Sequence, residues 1–423
     1  MLDQRLLPSE SDLSGLEPKQ TNLACGTPLY LFHSRTVDIL KLDIVFDAGS
    51  GVQPKPLCAG IARDMLLDAS PNYPAEQVAE TLDRLGVVVD RYSSVSSTKV
   101  SVYALKRHVS RLYPLLGDLL REPLFGSNEY DILIAKRRQT LLTDQLKTAA
   151  VARNLFYQSL YGPDHPYGRF AVPGDEQRLS IEDVRSFAHR WYRLGNVSLV
   201  LSGNYDDETL KLLDSCFATP TITNPQFPFA KSQSLVPNSR LQIRKSIESS
   251  VQTTLRIGRT VPIAWDDPDY PVFLILSTIL GGYFGSRLMS NIREKKGYTY
   301  GINTVNNIMR GSSLFCIVTD VANTVVDQAC AEIYNEIGVL RSEPVPIDEL
   351  SLVCNYMAGD FLRSVDGIFE RSERFCNMMD TNIDEQFTCN FLDALRTVTP
   401  EKLTAVASRL LNPADLTEVI VGA

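Results

Sequence analysis

The stretch SNIREKKGYTYG, residues 290–301, brings together the groups in this chain best suited to holding a polypeptide: the guanidinium of Arg293 and the phenols of Tyr298 and Tyr300. It reads as a basic helix end, a glycine stop and an extended segment. Cations in a last helical turn also favour the helix dipole, and tyrosines in strands also pack. The residues alone therefore leave two readings open, ordinary packing or a peptide-handling site.

Other chemistry is thinly represented. The four histidines, His33, His108, His165 and His189, include no pair four apart, so no helix face carries two imidazoles. His165 sits in the turn-forming GPDHPYG and reads as structural. Asp83 and Asp90 flank a helix-to-strand connection and read as exposed. No Gly-x-Ser-x-Gly, phosphate-binding loop or dinucleotide fingerprint occurs. The eight cysteines form no CxxC pair, which predicts free or buried thiols in a reducing compartment.

The elements that must position these groups come as two copies of one unit. Residues 180–203 run capped helix, turn, apolar strand and glycine, and residues 399–422 do the same. LKLDIVFDAGS (40–50) overlays TTLRIGRTVPI (253–263), and KVSVYALKRHVSRLYPLLGDLL (99–120) overlays LFCIVTDVANTVVDQACAEIYNEI (314–337). In each second pair an alternating strand leads into an amphipathic helix. Residues 219–240, rich in Pro, Ser and Asn, have linker chemistry. The pattern predicts two homologous α+β domains, 1–218 and 241–423, each a mostly antiparallel sheet packed with helices. Similar halves joined by a long linker suggest two half-shells that could close around something.

The bulk numbers narrow the class. A chain of 423 residues exceeds one ordinary core, and 44% hydrophobic with 22% charged residues is globular. A net charge of −8 argues against nucleic acid as partner, and the run Lys136-Arg137-Arg138 reads as a solvated helix face. No apolar run is long enough to span a bilayer. The first residues lack signal architecture, so a cytoplasmic location is expected, with a periplasmic or other compartment left open if a leader has been removed.

LYLFHSRTVDILKLDIVFDAGS, AEQVAETLDRLGVVVD, LYGPDHPYG, WYRLGNVSLVLSGN and above all GGYFGSRLMSNIREKKGYTYG together resemble the pitrilysin/insulinase family of inverted zinc peptidases. Its smaller members include subunits of the mitochondrial processing peptidase. Active members carry H-x-x-E-H on a first-domain helix, two zinc ligands around a catalytic base. The matching helix here, GIARDMLLDAS, places Arg63 and Leu67 at the histidine positions and Leu66 at the base. The segment matching the third ligand, residues 136–147, contains Asp144 and no glutamate. Neither guanidinium nor leucine can ligate zinc, so no metal is expected in this chain.

The second-domain signature is intact. In active members its arginine and tyrosine reach the substrate, and they match Arg293 and Tyr300. The resemblance thus implies a subunit that is inactive alone. As a half-clamshell, it would supply chamber wall and a substrate-binding Arg293/Tyr300 pair to a homologous partner bearing H-x-x-E-H and zinc. Substrates would be peptides or unfolded segments, held by strand addition. A proteolytically inactive peptide-binding or structural role, like the core subunits of respiratory complex III, is the alternative. A homodimer is also left open. Within the signature, Phe284, Leu288 and Ile292 read as one helical stripe, Tyr298 and Tyr300 as neighbours on one strand face, and Gly281-Gly282 as a tight turn.

Overall fold

The computed structural model describes residues 15–217, 241–248 and 250–422. The proposed linker 219–240 falls outside the described residues. Among the described residues, eleven strands form two sheets. The first half contributes β1 (Lys19–Asn22), β2 (Pro28–His33), β3 (Ile39–Phe46), β4 (Val88–Ser93), β5 (Thr98–Leu105) and β6 (Val197–Gly203). The second contributes β7 (Gln242–Ser246), β8 (Gln252–Thr260), β9 (Thr299–Met309), β10 (Ser312–Ala322) and β11 (Thr417–Gly422).

The spatial orders are β1-β2-β6-β3-β5-β4 and β7-β11-β8-β10-β9. Set aside β1 and the two orders coincide. In both, the parallel pair is the same one, β2 with β6 and β7 with β11, and all other pairs are antiparallel. The internal repeat is therefore structural. Its closing unit is built alike in each half. Ser180 accepts from the Asp183 amide in a capping box before the helix Ile181–Trp191 and β6. Thr399 accepts from the Lys402 amide before the helix Pro400–Leu410 and β11. Such caps satisfy amides that the first helical turn leaves unpaired.

Alternation along β3 shows how each sheet is covered. Leu40, Leu42, Ile44 and Phe46 face the first half's own core, with Cys58, Ile61 and Leu116. Lys41, Asp43 and Val45 point the other way, yet they too are buried. Their cover comes from the second half. The helix Ile368–Thr381 sets Cys376 against Phe32, Val45 and Val200, and the Phe375 ring lies 4.8 Å from that of Tyr30. The exchange is reciprocal. The first-half helix Thr148–Tyr161 lays Ala152, Phe156 and Leu160 against Leu314, Cys316, Val419 and Val421 of β10 and β11. Each half lends one helix to the other's sheet.

Polar links fasten the exchange. Lys41 Nζ lies 3.1 Å from Asp43 and 3.0 Å from Glu373, and Lys99 also binds Glu373. Ser94 and Ser97 both donate to Asp380 at 2.6 Å, and Arg310 pairs with Asp47 at 2.6 Å. Burial alone would lower the Lys41 pKa, but Asp43 and Glu373 outweigh it and hold the ammonium charged. Burial likewise pushes the Glu373 carboxyl up, and the Lys99 hydrogen bond and Lys41 charge outweigh it, holding it below the usual carboxylate range.

Two outcomes test the exchange. Phe156 is fully buried in the opposite half's sheet. Phe156→Ala should cost about 3–5 kcal/mol and lower one shared transition, read by denaturant unfolding with probes in each half. A folded pKa below the unfolded one makes the Glu373 link stabilising above about pH 4.3, and the contribution is lost as pH falls through the folded value. Glu373→Gln should therefore be less stable at neutral pH and show a shallower loss on acidification.

Candidate functional site

The first segment of interest is the helix Cys58–Met65 and the turn after it. The Leu57 N-cap takes φ 73, a left-handed conformation unusual for a leucine. The helix ends where the H-x-x-E-H pattern would continue. Leu66 and Leu67 are 0% and 1% exposed and belong to the first-half core. Arg63 donates to Asp64 through Nε at 2.9 Å and Nη2 at 2.6 Å. The other Asp64 oxygen accepts from Arg137 at 2.6 Å. Arg137 is thus half-buried and paired, whereas Lys136 and Arg138 beside it are exposed, as read from the sequence. Nearby, burial pushes the Asp68 carboxyl up while Arg91 of β4 pairs with it at 3.3 Å.

Asp144 ends its helix in an exposed pair with Lys147 at 2.8 Å. The histidines stay apart: His33 meets Tyr205, His165 stacks on Tyr161, and His189 contacts Arg193. Among the described residues, no three His, Cys, Asp or Glu side chains gather as metal ligands. The residue types at 63, 66 and 67 do not fit zinc in any case.

The second segment runs from Asp269 to Met309. The helix Asp269–Ser277 widens into a π-turn over Thr278–Gly282, and a second π-helical stretch covers Met289–Lys295. Gly281 is needed for close approach. A Cβ there would lie 2.8 Å from Thr304 Cγ2 and 2.9 Å from Thr304 N of β9. Its φ is not positive, so the tight-turn reading is corrected. Gly297, at φ 66, does end the helix: its amide donates to the Arg293 carbonyl at 3.2 Å. The Tyr298 amide donates to Ile292 at 3.0 Å.

Leu288 and Ile292 are fully buried, but Phe284 lies in the turn before the helix and is 65% exposed. It is not on their stripe. Tyr298 packs against the second-half core, whereas Tyr300 is 92% exposed. Alternation fails between them because β9 begins at Thr299, after Tyr298. Phe284 instead meets Arg293, whose guanidinium lies over its ring at 4.8 Å. The Arg293 side chain keeps 34% exposure and lies 4.0 Å from the Glu294 carboxylate. An aromatic floor beneath a guanidinium orients it while leaving its N–H edge outward. Tyr300 stands near the start of β9, an edge strand of the second sheet.

Sequence reasoning missed the cleft between the halves. β4 and β9, both sheet edges, border two adjoining hollows of about 860 and 800 Å³, and Tyr92, Asn306 and Asn377 line both. Lys41, Lys99 and Glu373 lie on the first and Arg153, Tyr157 and Arg169 on the second. These groups are far apart in the chain and meet only through the helix exchange, so no local motif announces them.

Residues 178–357 match the family described as Peptidase M16 inactive domain. An uncharacterized zinc protease of Rickettsia felis is 24% identical over 362 residues, 84% of this chain and 85% of that one. The Helicobacter pylori protein named Non-peptidase homolog YmxG is 21% identical over 275 residues, 64% of this chain and 62% of its own. In fold, the chain is similar to the crystal structure of a peptidase M16 inactive domain from Pseudomonas fluorescens. The TM-score is 0.84 at 22% identity, covering 96% of this chain and 98% of that one.

The packing at residues 63–67 gives a test. Stoichiometric zinc should leave the melting temperature unchanged. The triple variant Arg63→His, Leu66→Glu, Leu67→His buries a carboxylate and an imidazole in an apolar core. It should lose more than about 3 kcal/mol of stability without gaining tight zinc binding, read by calorimetry and metal analysis.

Proposed function

The chain belongs to the M16 peptidase family, as a member without the zinc-binding motif, and from that premise we propose that it is the non-catalytic subunit of a two-chain zinc endopeptidase. A homologous partner bearing H-x-x-E-H would hold the zinc and activate water. This chain would contribute chamber wall, domains 1–218 and 241–423 joined through 219–240, and the substrate-binding pair Arg293 and Tyr300. The observation that carries the reading is exposure in the second-domain signature, with Tyr300 92% exposed and Arg293 lying over the ring of the exposed Phe284. A phenol that packs on nothing adds little to the fold, and a guanidinium with its N–H edge free can grip peptide carbonyls. Aimed at a scissile carbonyl, both groups would stabilise the oxyanion. The substrate would lie extended along a sheet edge.

A second reading, a peptide-binding or structural protein with no proteolysis, draws support from the Helicobacter pylori relative's designation as a non-peptidase homologue. It needs no zinc-bearing partner. No helix among the described residues is long and apolar enough to cross a membrane.

The two readings separate in a reconstituted pair. Recovery of the chain from its own cells should bring down an H-x-x-E-H homologue in equal amount. Within that pair, Arg293→Ala should lower kcat/KM by about tenfold to a thousandfold with assembly intact, and Tyr300→Phe should lower it less. Full activity in both variants would remove the substrate-gripping role.

A further inference from the structure

A separate cavity of about 910 Å³ opens in the first half, between the loop after the helix Val109–Arg121 and the C-terminal end of the helix Ile181–Trp191. Its walls include the buried Leu120, Phe125, Ala188 and Leu194, and Leu124 is exposed beside them. Around these apolar groups lie Arg121, Arg185, His189 and Arg193, with Glu122 the one carboxylate among the described lining residues. The size falls within the range of small-ligand sites, about 300–1,000 Å³. The lining inverts the balance of a chain whose net charge is −8.

The arginines have partial occupations. Arg185 pairs with Glu182 at 3.3 Å and donates to the Phe125 carbonyl at 2.7 Å. Arg121 donates one N–H to the Cys216 carbonyl at 3.1 Å. Arg193 contacts the His189 carbonyl and ring. Neither Arg121 nor Arg193 has a carboxylate partner among the described residues. Capping of carbonyls near helix ends accounts for one or two donors of each. A guanidinium carries five, so most remain available. Capping also does not explain an apolar hollow beside them.

We propose that this cavity binds an anionic amphiphile, a carboxylate or phosphate head on an alkyl chain. Arg121 and Arg193 hold the head, and the tail lies against Leu120, Phe125, Ala188 and Leu194. Charge complementarity selects the anion, since guanidinium forks match carboxylate and phosphate oxygens. The apolar wall selects the tail. The site is distinct from the Arg293 surface and stands whether or not the peptidase reading holds.

Titration calorimetry of the full chain with dodecanoate tests it, using octanoate, decanoate, dodecanol and lauroyl lysophosphatidate for comparison. Dodecanoate should bind saturably at one site, with affinity rising about fourfold per added methylene. The double variant Arg121→Ala/Arg193→Ala should weaken dodecanoate more than about tenfold while leaving dodecanol unchanged. Leu124→Asp, an exposed substitution compatible with folding, should abolish anion binding, and Arg84→Ala on another helix should have no effect. Tighter lysophosphatidate would point to a lipid phosphate as the natural head, tighter dodecanoate to a free carboxylate. Unsaturable uptake, or equal affinity in the double variant and Leu124→Asp, would overturn the proposal.

Discussion

Neither sheet is covered on both faces by its own half, and the reciprocal loan of one helix meets that need. In β3 the residues facing away from the local core are Lys41, Asp43 and Val45, all buried. An ammonium so placed is costly unless it is paired and hydrogen-bonded. One partner, Asp43, sits two residues along the same strand, and the other, Glu373, arrives on the lent helix. Withdrawing that helix would expose Phe32, Val45 and Val200 and strip Lys41 and Lys99 of a carboxylate. The halves are therefore bound to one geometry. That geometry places the β4 and β9 edges along a common cleft, and a hinge between the halves would have to break the exchange first.

Much of the fold was legible because its unit is local. A capped helix leading into an apolar strand is written in some two dozen consecutive residues, twice, and both copies form as read. The two-domain α+β architecture follows from that repetition. The exchange was not legible. The helix Thr148–Tyr161 shows an apolar face in sequence, but nothing in the spacing of Ala152, Phe156 and Leu160 says which sheet receives it.

The site divides in the same way. Residue type alone disposes of zinc at Arg63, Leu66 and Leu67. Pairing is another matter: Arg137 looks like part of a basic surface run until the tertiary fold brings Asp64 to it. Phe284 was misplaced because a spacing of four presumes a regular α-helix. Here the chain leaves the helix for a turn over residues 283–286, and the next stretch is π-wound. Where local winding departs from 3.6 residues per turn, periodicity no longer predicts which side chains share a face.

The chemistry at the former motif positions bears on what this half can contribute. Arg63 and Arg137 bracket Asp64, two fixed cations around one anion. Such a group can attract a carbonyl oxygen or a carboxylate. It presents N–H donors, however, and has no vacant coordination position with which to bind water and lower its pKa. Leu66, expected at the catalytic base, lies in a dry core and has no group that could take the proton from an attacking water. Gripping and cutting are thus separable by residue type alone. The groups proposed to grip, Arg293 on its phenylalanine and Tyr300 at a sheet edge, keep exposed surface and carry little of the core's stability. On the proposed reading, the group that cuts would come from a partner chain, and Arg293 and Tyr300 would meet its substrate.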